Sequence, residues 1–221
     1  MQGSFDRAKI RFAAGRFFGR RFGYFVKKAY FYLLIREDFY ADQVLVQPVL
    51  SPDRSAAGPG VINLLPSDYR AANKNWAVAE DDAGTLYAGN DKGLLEFDGL
   101  QWRLYELPRA SIVRSVAPLS HDVIFTGGFE EFGRWDRDAS GALRYTSLVP
   151  AQRNPRFSDS DFWKIYITPQ GVLFQSFHGI YLYDYERVRR LTGEMNMLFL
   201  LRAGDEFWVQ EMGGPLYRMR Q

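Results

Sequence analysis

His121 and His178 are the only imidazoles in the chain, and it has no cysteine. The missing thiols remove disulfides, iron–sulfur clusters, thiol nucleophiles and most structural zinc sites together. A histidine-built metal centre would need both imidazoles plus carboxylates, so no metal is expected. His121 stands between Ser120 and Asp122, the three residue types of an acyl-transfer triad, but sequence neighbours in a turn do not face one another. Turn chemistry is expected there instead. The runs Glu80-Asp81-Asp82 and Glu130-Glu131 would suit an acid–base pair or calcium; the first has turn composition and the second lies beside a strand. There is no phosphate loop or dinucleotide fingerprint. No catalytic residue is therefore assigned, and no cofactor is expected.

Recognition chemistry remains. Three loops bring forward Asn90 and Asp91, Phe129 and Glu130, and Phe177 and His178. An aromatic ring stacks on the C–H surface of a sugar while an amide, carboxylate or imidazole bonds its hydroxyls. Arg114 joins this set as a cation inside a strand pattern, where a purely structural residue would usually be apolar. These seven residues are the expected ligand contacts, for a small molecule or an oligosaccharide.

Such loops need strands to carry them, and the strands repeat. Trp76–Gly99 aligns with Trp163–Asp184: Trp76 falls on Trp163, Val78 on Ile165, Gly84 on Gly171, Leu86 on Leu173 and Tyr87 on Phe174, all at an offset of 87. A one-residue gap placed in the following loop then sets Gly93 on Gly179, Leu94 on Ile180, Phe97 on Tyr183 and Asp98 on Asp184. Weaker copies run from Val113 to Asp136 and from Phe199 to Arg218. Within the first copy, alternating apolar residues and turn signals such as Asp98-Gly99 predict four short antiparallel strands. Sheets of this kind repeated at roughly 33 to 49 residues are the blades of a β-propeller. The fold expected is all-β, a partial propeller of about three and a half blades, with blade groups near 76–107, 112–148, 163–191 and 198–218. Trp76 and Trp163 are expected to be buried core anchors at equivalent positions. A fourth blade needs an outer strand from near Val44–Val49 or Val61–Leu65; otherwise the chain opens a longer propeller.

Charge divides the chain. Residues 1–36 hold nine Lys or Arg against the single acid Asp6, so a net charge of +2 overall leaves −6 for residues 37–221. Pro48, Pro52, Gly58, Pro59 and Gly60 punctuate the chain where composition changes. Residues 1–57 are thus expected to be a basic, aromatic-rich extension and linker, and residues 58–221 the propeller segment. No run reaches the roughly 18 apolar residues of a membrane-spanning helix, and no nucleic-acid partner is expected.

The first copy, with Asn75-Trp76-Ala77-Val78-Ala79-Glu80-Asp81, Gly84, Tyr87, Gly89-Asn90, Gly93-Leu94-Leu95-Glu96-Phe97-Asp98-Gly99 and Trp102, resembles the first blade of the two-component regulator propeller family. Ser111-Ile112-Val113-Arg114-Ser115, Glu131-Phe132-Gly133 and Phe162-Trp163-Lys164-Ile165-Tyr166 extend the resemblance into two further blades. It implies a periplasmic, non-catalytic sensor segment of a bacterial hybrid histidine kinase or related regulator, followed by further blades and signalling domains in a longer protein. Two other classes stay open, a fragment of a polysaccharide-active propeller enzyme and a protein-binding scaffold.

Overall fold

The computed structural model describes residues 5–7, 64–108, 112–150, 160–193 and 195–219. The boundary expected between residues 57 and 58, and the stretch Val44–Val49, lie outside them. The described chain is almost wholly β and forms four antiparallel four-stranded sheets. Blade 1 is β2 (Asn75–Glu80), β3 (Leu86–Asn90), β4 (Gly93–Phe97) and β5 (Trp102–Tyr105). Blade 2 is β6 (Val113–Ser120), β7 (Val123–Gly128), β8 (Phe132–Arg137) and β9 (Leu143–Ser147). Blade 3 is β10 (Phe162–Thr168), β11 (Gly171–Ser176), β12 (Ile180–Tyr183) and β13 (Val188–Arg190).

Blade 4 holds β14 (Met197–Ala203), β15 (Glu206–Glu211) and β16 (Leu216–Met219), and its outermost strand is β1 (Phe5–Arg7), paired antiparallel so that Phe5 faces Met219 and Arg7 faces Tyr217. The missing strand thus comes from the start of the chain, not from Val61–Leu65, whose described part precedes the one-turn helix α1 (Pro66–Tyr69). Pro66 opens that turn, the Asp68 carboxylate accepts the Leu65 amide at 2.7 Å, and Arg70 closes it in the left-handed conformation.

The same short-range chemistry ends the third strand of each of the first three blades. Asp98 accepts the amides of Leu100 and Gln101, Asp138 those of Ser140 and Ala142, and Asp184 those of Glu186 and Arg187. A carboxylate that bonds its own chain two to four residues on sets the turn locally, so this part of the repeat is visible as a recurring aspartate.

Side-chain period 2 sends alternate residues to opposite faces, and blades 2 and 3 bury both of theirs between neighbouring blades. Tyr87 and Leu94 of blade 1 meet Ile124, Trp135 and Leu143 of blade 2. Phe125 and Phe132 of blade 2 meet Phe162, Phe174 and Tyr181 of blade 3. Leu173, Ile180 and Leu182 of blade 3 meet Met197, Leu200, Phe207 and Val209 of blade 4. On the other face of blade 1, Tyr69 of α1 covers Ala88 and Leu95.

This packing corrects the alignment of the copies. Trp76 and Trp163 do share a position, but Ala88 pairs with Val78 where Phe174 pairs with Ile165, so Tyr87 corresponds to Leu173 and not to Phe174. The missing residue sits in the turn between the first two strands, not in the next loop. A one-residue slip moves every side chain of a strand to the other face. Tyr87 accordingly packs towards the following blade, whereas Phe174 packs towards the preceding one.

Close approach of consecutive blades depends on two glycines. A Cβ on Gly89 would lie 2.8 Å from the Val113 carbonyl oxygen, and one on Gly127 would lie 2.7 Å from the Phe162 Cβ. Gln175 occupies the corresponding place in blade 3, before blade 4. Replacing Gly127 with Ala should therefore overpack the junction of blades 2 and 3 and cost about 1–3 kcal/mol. A lowered urea midpoint with an unchanged denaturant slope is the expected readout; an unchanged midpoint would show that this junction yields freely.

Candidate functional site

Each innermost strand is interrupted by a bulge that skips one residue in its pairing with the next strand: Trp76 in β2, Arg114 in β6, Trp163 in β10 and Leu198 in β14. A bulged residue leaves the alternation and is re-aimed. Here the first three are aimed at one another. The Trp76 and Trp163 rings, from blades separated by blade 2, meet edge to face at 6.1 Å. The Arg114 guanidinium lies 3.8 Å from the Trp76 ring centre and 5.1 Å from that of Trp163. Its Nε donates to the Asp161 carboxylate at 3.1 Å.

The two tryptophans are consequently half-buried and belong to none of the apolar clusters between blades. They share equivalent positions as expected, but they are not core anchors: the bulge takes them off both packed faces. Cation–π attraction of a partly desolvated guanidinium contributes about 1–2 kcal/mol, and Asp161 balances its charge.

The loops expected to carry ligand contacts surround this cluster unequally. Asp91 accepts the Trp76 indole Nε1–H at 2.6 Å, and the Lys74 ammonium stands 5.3 Å over the same ring. Phe177 packs against Trp163 at 5.8 Å. Phe129, 40% exposed, bridges to Asp161 through its backbone, and Glu130, in a left-handed conformation, donates its amide to the Ser160 carbonyl. His178 is exposed at the rim; Ser176 holds its amide and the Arg190 guanidinium bonds its carbonyl.

Asn90 behaves differently. It is wholly buried; its carbonyl oxygen accepts the amides of Ala72 and Lys92, and its amide nitrogen donates to Ala72, Lys74 and Asn75. Every polar atom of Asn90 is engaged in shaping the segment that leads into blade 1, so it cannot face a ligand in this conformation. Glu131 is likewise internal, accepting from the Tyr145 and Ser147 hydroxyls.

Sequence reasoning missed Lys74 and Asp161 and assigned the tryptophans to the core. The signal that could have found them is the equivalence of Trp76, Arg114 and Trp163: a position filled by Trp and Arg alternately is not a generic apolar site.

A second group of titratable residues lies at the opposite end, where first and second strands turn. Glu96, buried in blade 1, accepts from the Tyr105 hydroxyl at 2.8 Å and pairs with Arg137 of blade 2 at 2.9 Å. Arg137 also donates to the Tyr87 hydroxyl, which donates to Asp81; Asp81 in turn meets His121 Nδ1 at 2.9 Å. Thr85 Oγ1 approaches that same Nδ1 at 3.3 Å. A nucleophile–base–acid relay needs its hydroxyl on the other imidazole nitrogen, so this arrangement joins two blades and does not form a triad. Burial and the Asp81 contact push the Tyr87 phenol far up.

Burial alone would raise the Asp81 carboxyl, but hydrogen bonds from the Thr85 amide, His121, the Tyr87 hydroxyl and the Ala83 amide outweigh it and hold the carboxyl below its ordinary value. A depressed carboxyl stabilises the fold above its unfolded value of about 3.9 and loses that contribution as pH falls through the folded value. Asp81→Asn should thus be less stable than the wild type at neutral pH, with the gap closing below about pH 4. Denaturation midpoints measured across pH 2–7 test this; a gap independent of pH would separate the cost from the charge of Asp81.

No family model matches the chain, and no curated protein matches it. Solved structures do. The extracellular domain of the hybrid two component system BT4673 from B. thetaiotaomicron is 16% identical with a TM-score of 0.50, over 65% of this chain and 20% of that one. YCF48 from Cyanidioschyzon merolae is 11% identical with the same TM-score of 0.50, over 68% of this chain and 52% of that one. At these identities the likeness is one of fold. The chain spans about a fifth of the length of the BT4673 domain. The described part is a β-propeller segment of four consecutive blades, and no described helix is long and apolar enough to cross a membrane.

Proposed function

We propose that this chain is the ligand-recognition segment of a bacterial sensor of the two-component kind, acting in the periplasm and receiving a carbohydrate at the mouth formed by the loops after the second strands. It catalyses no reaction in this reading; further blades and signalling domains of a longer protein transmit the signal. The observation that carries it is the meeting of Trp76, Arg114 and Trp163 from three blades, ringed by Asp91, Phe177 and Lys74. Half-exposed indole faces next to a carboxylate and an ammonium are a combination that suits a sugar, which offers C–H surface and hydroxyls together. The resemblance of the blade motifs to two-component regulator propellers supports the same reading, as does the fold shared with an extracellular domain of BT4673.

Calorimetric titration and a glycan array on the full chain test it. An oligosaccharide should bind, and Trp76→Ala or Asp91→Ala should weaken it at least tenfold, about 1.4 kcal/mol. Changes at Phe177, His178 or Arg114 should weaken it as well, without a change of fold, whereas Asn90→Ala should act through stability alone. Absence of any glycan ligand would overturn the carbohydrate assignment, and release of new reducing ends by the wild type would replace the sensor with a polysaccharide-active enzyme.

A further inference from the structure

The backbone around Arg114 is fixed from both sides. Val113, before it, lies so close to blade 1 that a Cβ on Gly89 would come within 2.8 Å of its carbonyl oxygen. Ser115, after it, donates its hydroxyl to the Phe162 carbonyl of blade 3 at 2.8 Å. Phe162 stands between Asp161 and Trp163, so one short stretch of blade 3 carries both the carboxylate that accepts the Arg114 Nε at 3.1 Å and one of the two indoles. Asp161 is itself held, through its backbone bridge to Phe129 and the bond from the Glu130 amide to the Ser160 carbonyl.

The guanidinium is the innermost member of this cluster. The Arg114 side chain is only 13% exposed, and its Nη1 is covered and meets no hydrogen-bond acceptor among the described residues. Its central carbon lies 3.8 Å from the centre of the Trp76 ring, which is contact distance for a cation on an aromatic face. A planar, weakly hydrated guanidinium stacks in this way, and the compact, strongly hydrated ammonium of lysine does not. Two indoles left to themselves have several offset and edge-to-face arrangements open to them, with ring centres roughly 4.5–7 Å apart. A third group that is pinned to Asp161 and lies against both rings selects one of these.

We infer that Arg114 is the positioning residue of the mouth: its guanidinium is an internal ligand seated in a slot of Trp76, Trp163 and Asp161, and it holds the two indoles edge to face. The slot is built for a guanidinium cation and takes a free one when the side chain is removed. A bound sugar feels Arg114 through the rings, a step that rests on the carbohydrate reading; the placement of the rings does not.

Circular dichroism of the full chain tests this without any sugar. Two indoles in contact couple their electronic transitions, so the wild type should show a far-ultraviolet exciton couplet that Trp76→Phe and Trp163→Phe each abolish. Arg114→Ala should lose most of that couplet and keep its β-sheet spectrum. Arg114→Lys, which keeps the charge beside Asp161 but not the planar face, should lose it as well. Millimolar guanidinium chloride, far below the molar range that unfolds proteins, should restore the couplet in Arg114→Ala, whereas ammonium chloride should not. Adding Asp161→Asn to Arg114→Ala should abolish the rescue. A wild type without the couplet, a couplet that survives in Arg114→Lys, no recovery with guanidinium, or equal recovery with ammonium would each overturn the inference. Failure to find a glycan ligand would overturn the carbohydrate reading alone, since none of these spectra depends on one.

Discussion

Burial of sheet faces between consecutive blades is the constraint from which the rest of this structure follows. A sheet that faces water on one side can place polar residues at alternate positions, but a blade between two others cannot. Strand β3 illustrates the requirement: Tyr87 fills the junction with blade 2, while Ala88, next to it, is covered from the other side by Tyr69. Fully burying one large apolar side chain contributes about 1.5–3 kcal/mol, and each junction gathers several. Polar groups drawn inside with them must find partners. Glu96 finds Tyr105 and Arg137, and Glu131 finds Tyr145 and Ser147.

The candidate site exists because one residue per blade escapes that constraint. The bulge removes Trp76, Arg114 and Trp163 from both packed faces, and the close approach at Gly89 and Gly127 brings the three inner strands near enough for those side chains to touch. Arg114 is held by the indole rings and Asp161 together. The cluster is therefore preorganised by the blade junctions together with Asp91, Phe177 and Asp161 beside them. Its chemistry varies from blade to blade, Trp, Arg, Trp and Leu.

The two ends of the blades differ in kind. At the turns between first and second strands, Asp81, Tyr87, Arg137, Glu96 and His121 form a continuous hydrogen-bonded chain linking blades 1 and 2. Its members satisfy one another, which makes this end a clasp. At the mouth, by contrast, Lys74, Phe129 and His178 are exposed. Satisfied polar groups at one end and accessible rings and charges at the other support the proposal that recognition lies at the mouth.

The sequence by itself determined the class of fold, because alternation, turn aspartates such as Asp98 and Asp184, and the recurring Trp76 and Trp163 are local properties read at fixed spacing. It also marked Asp91, Arg114 and Phe177, which the structure gathers around the two tryptophans. The tertiary structure alone decided which face each strand residue occupies. The turn after β2 is one residue longer than its counterpart in blade 3, and a gap placed in the wrong loop exchanges Leu173 for Phe174 with no cost visible in the residue types. Long-range pairing likewise decided that β1 completes blade 4, since three residues carry too little pattern to announce a partner more than two hundred residues away. Asn90 and the tryptophans show the same limit at the site: an amide and an indole have the same composition whether they face a ligand or the chain's own backbone, and only the neighbours brought by folding tell the two apart.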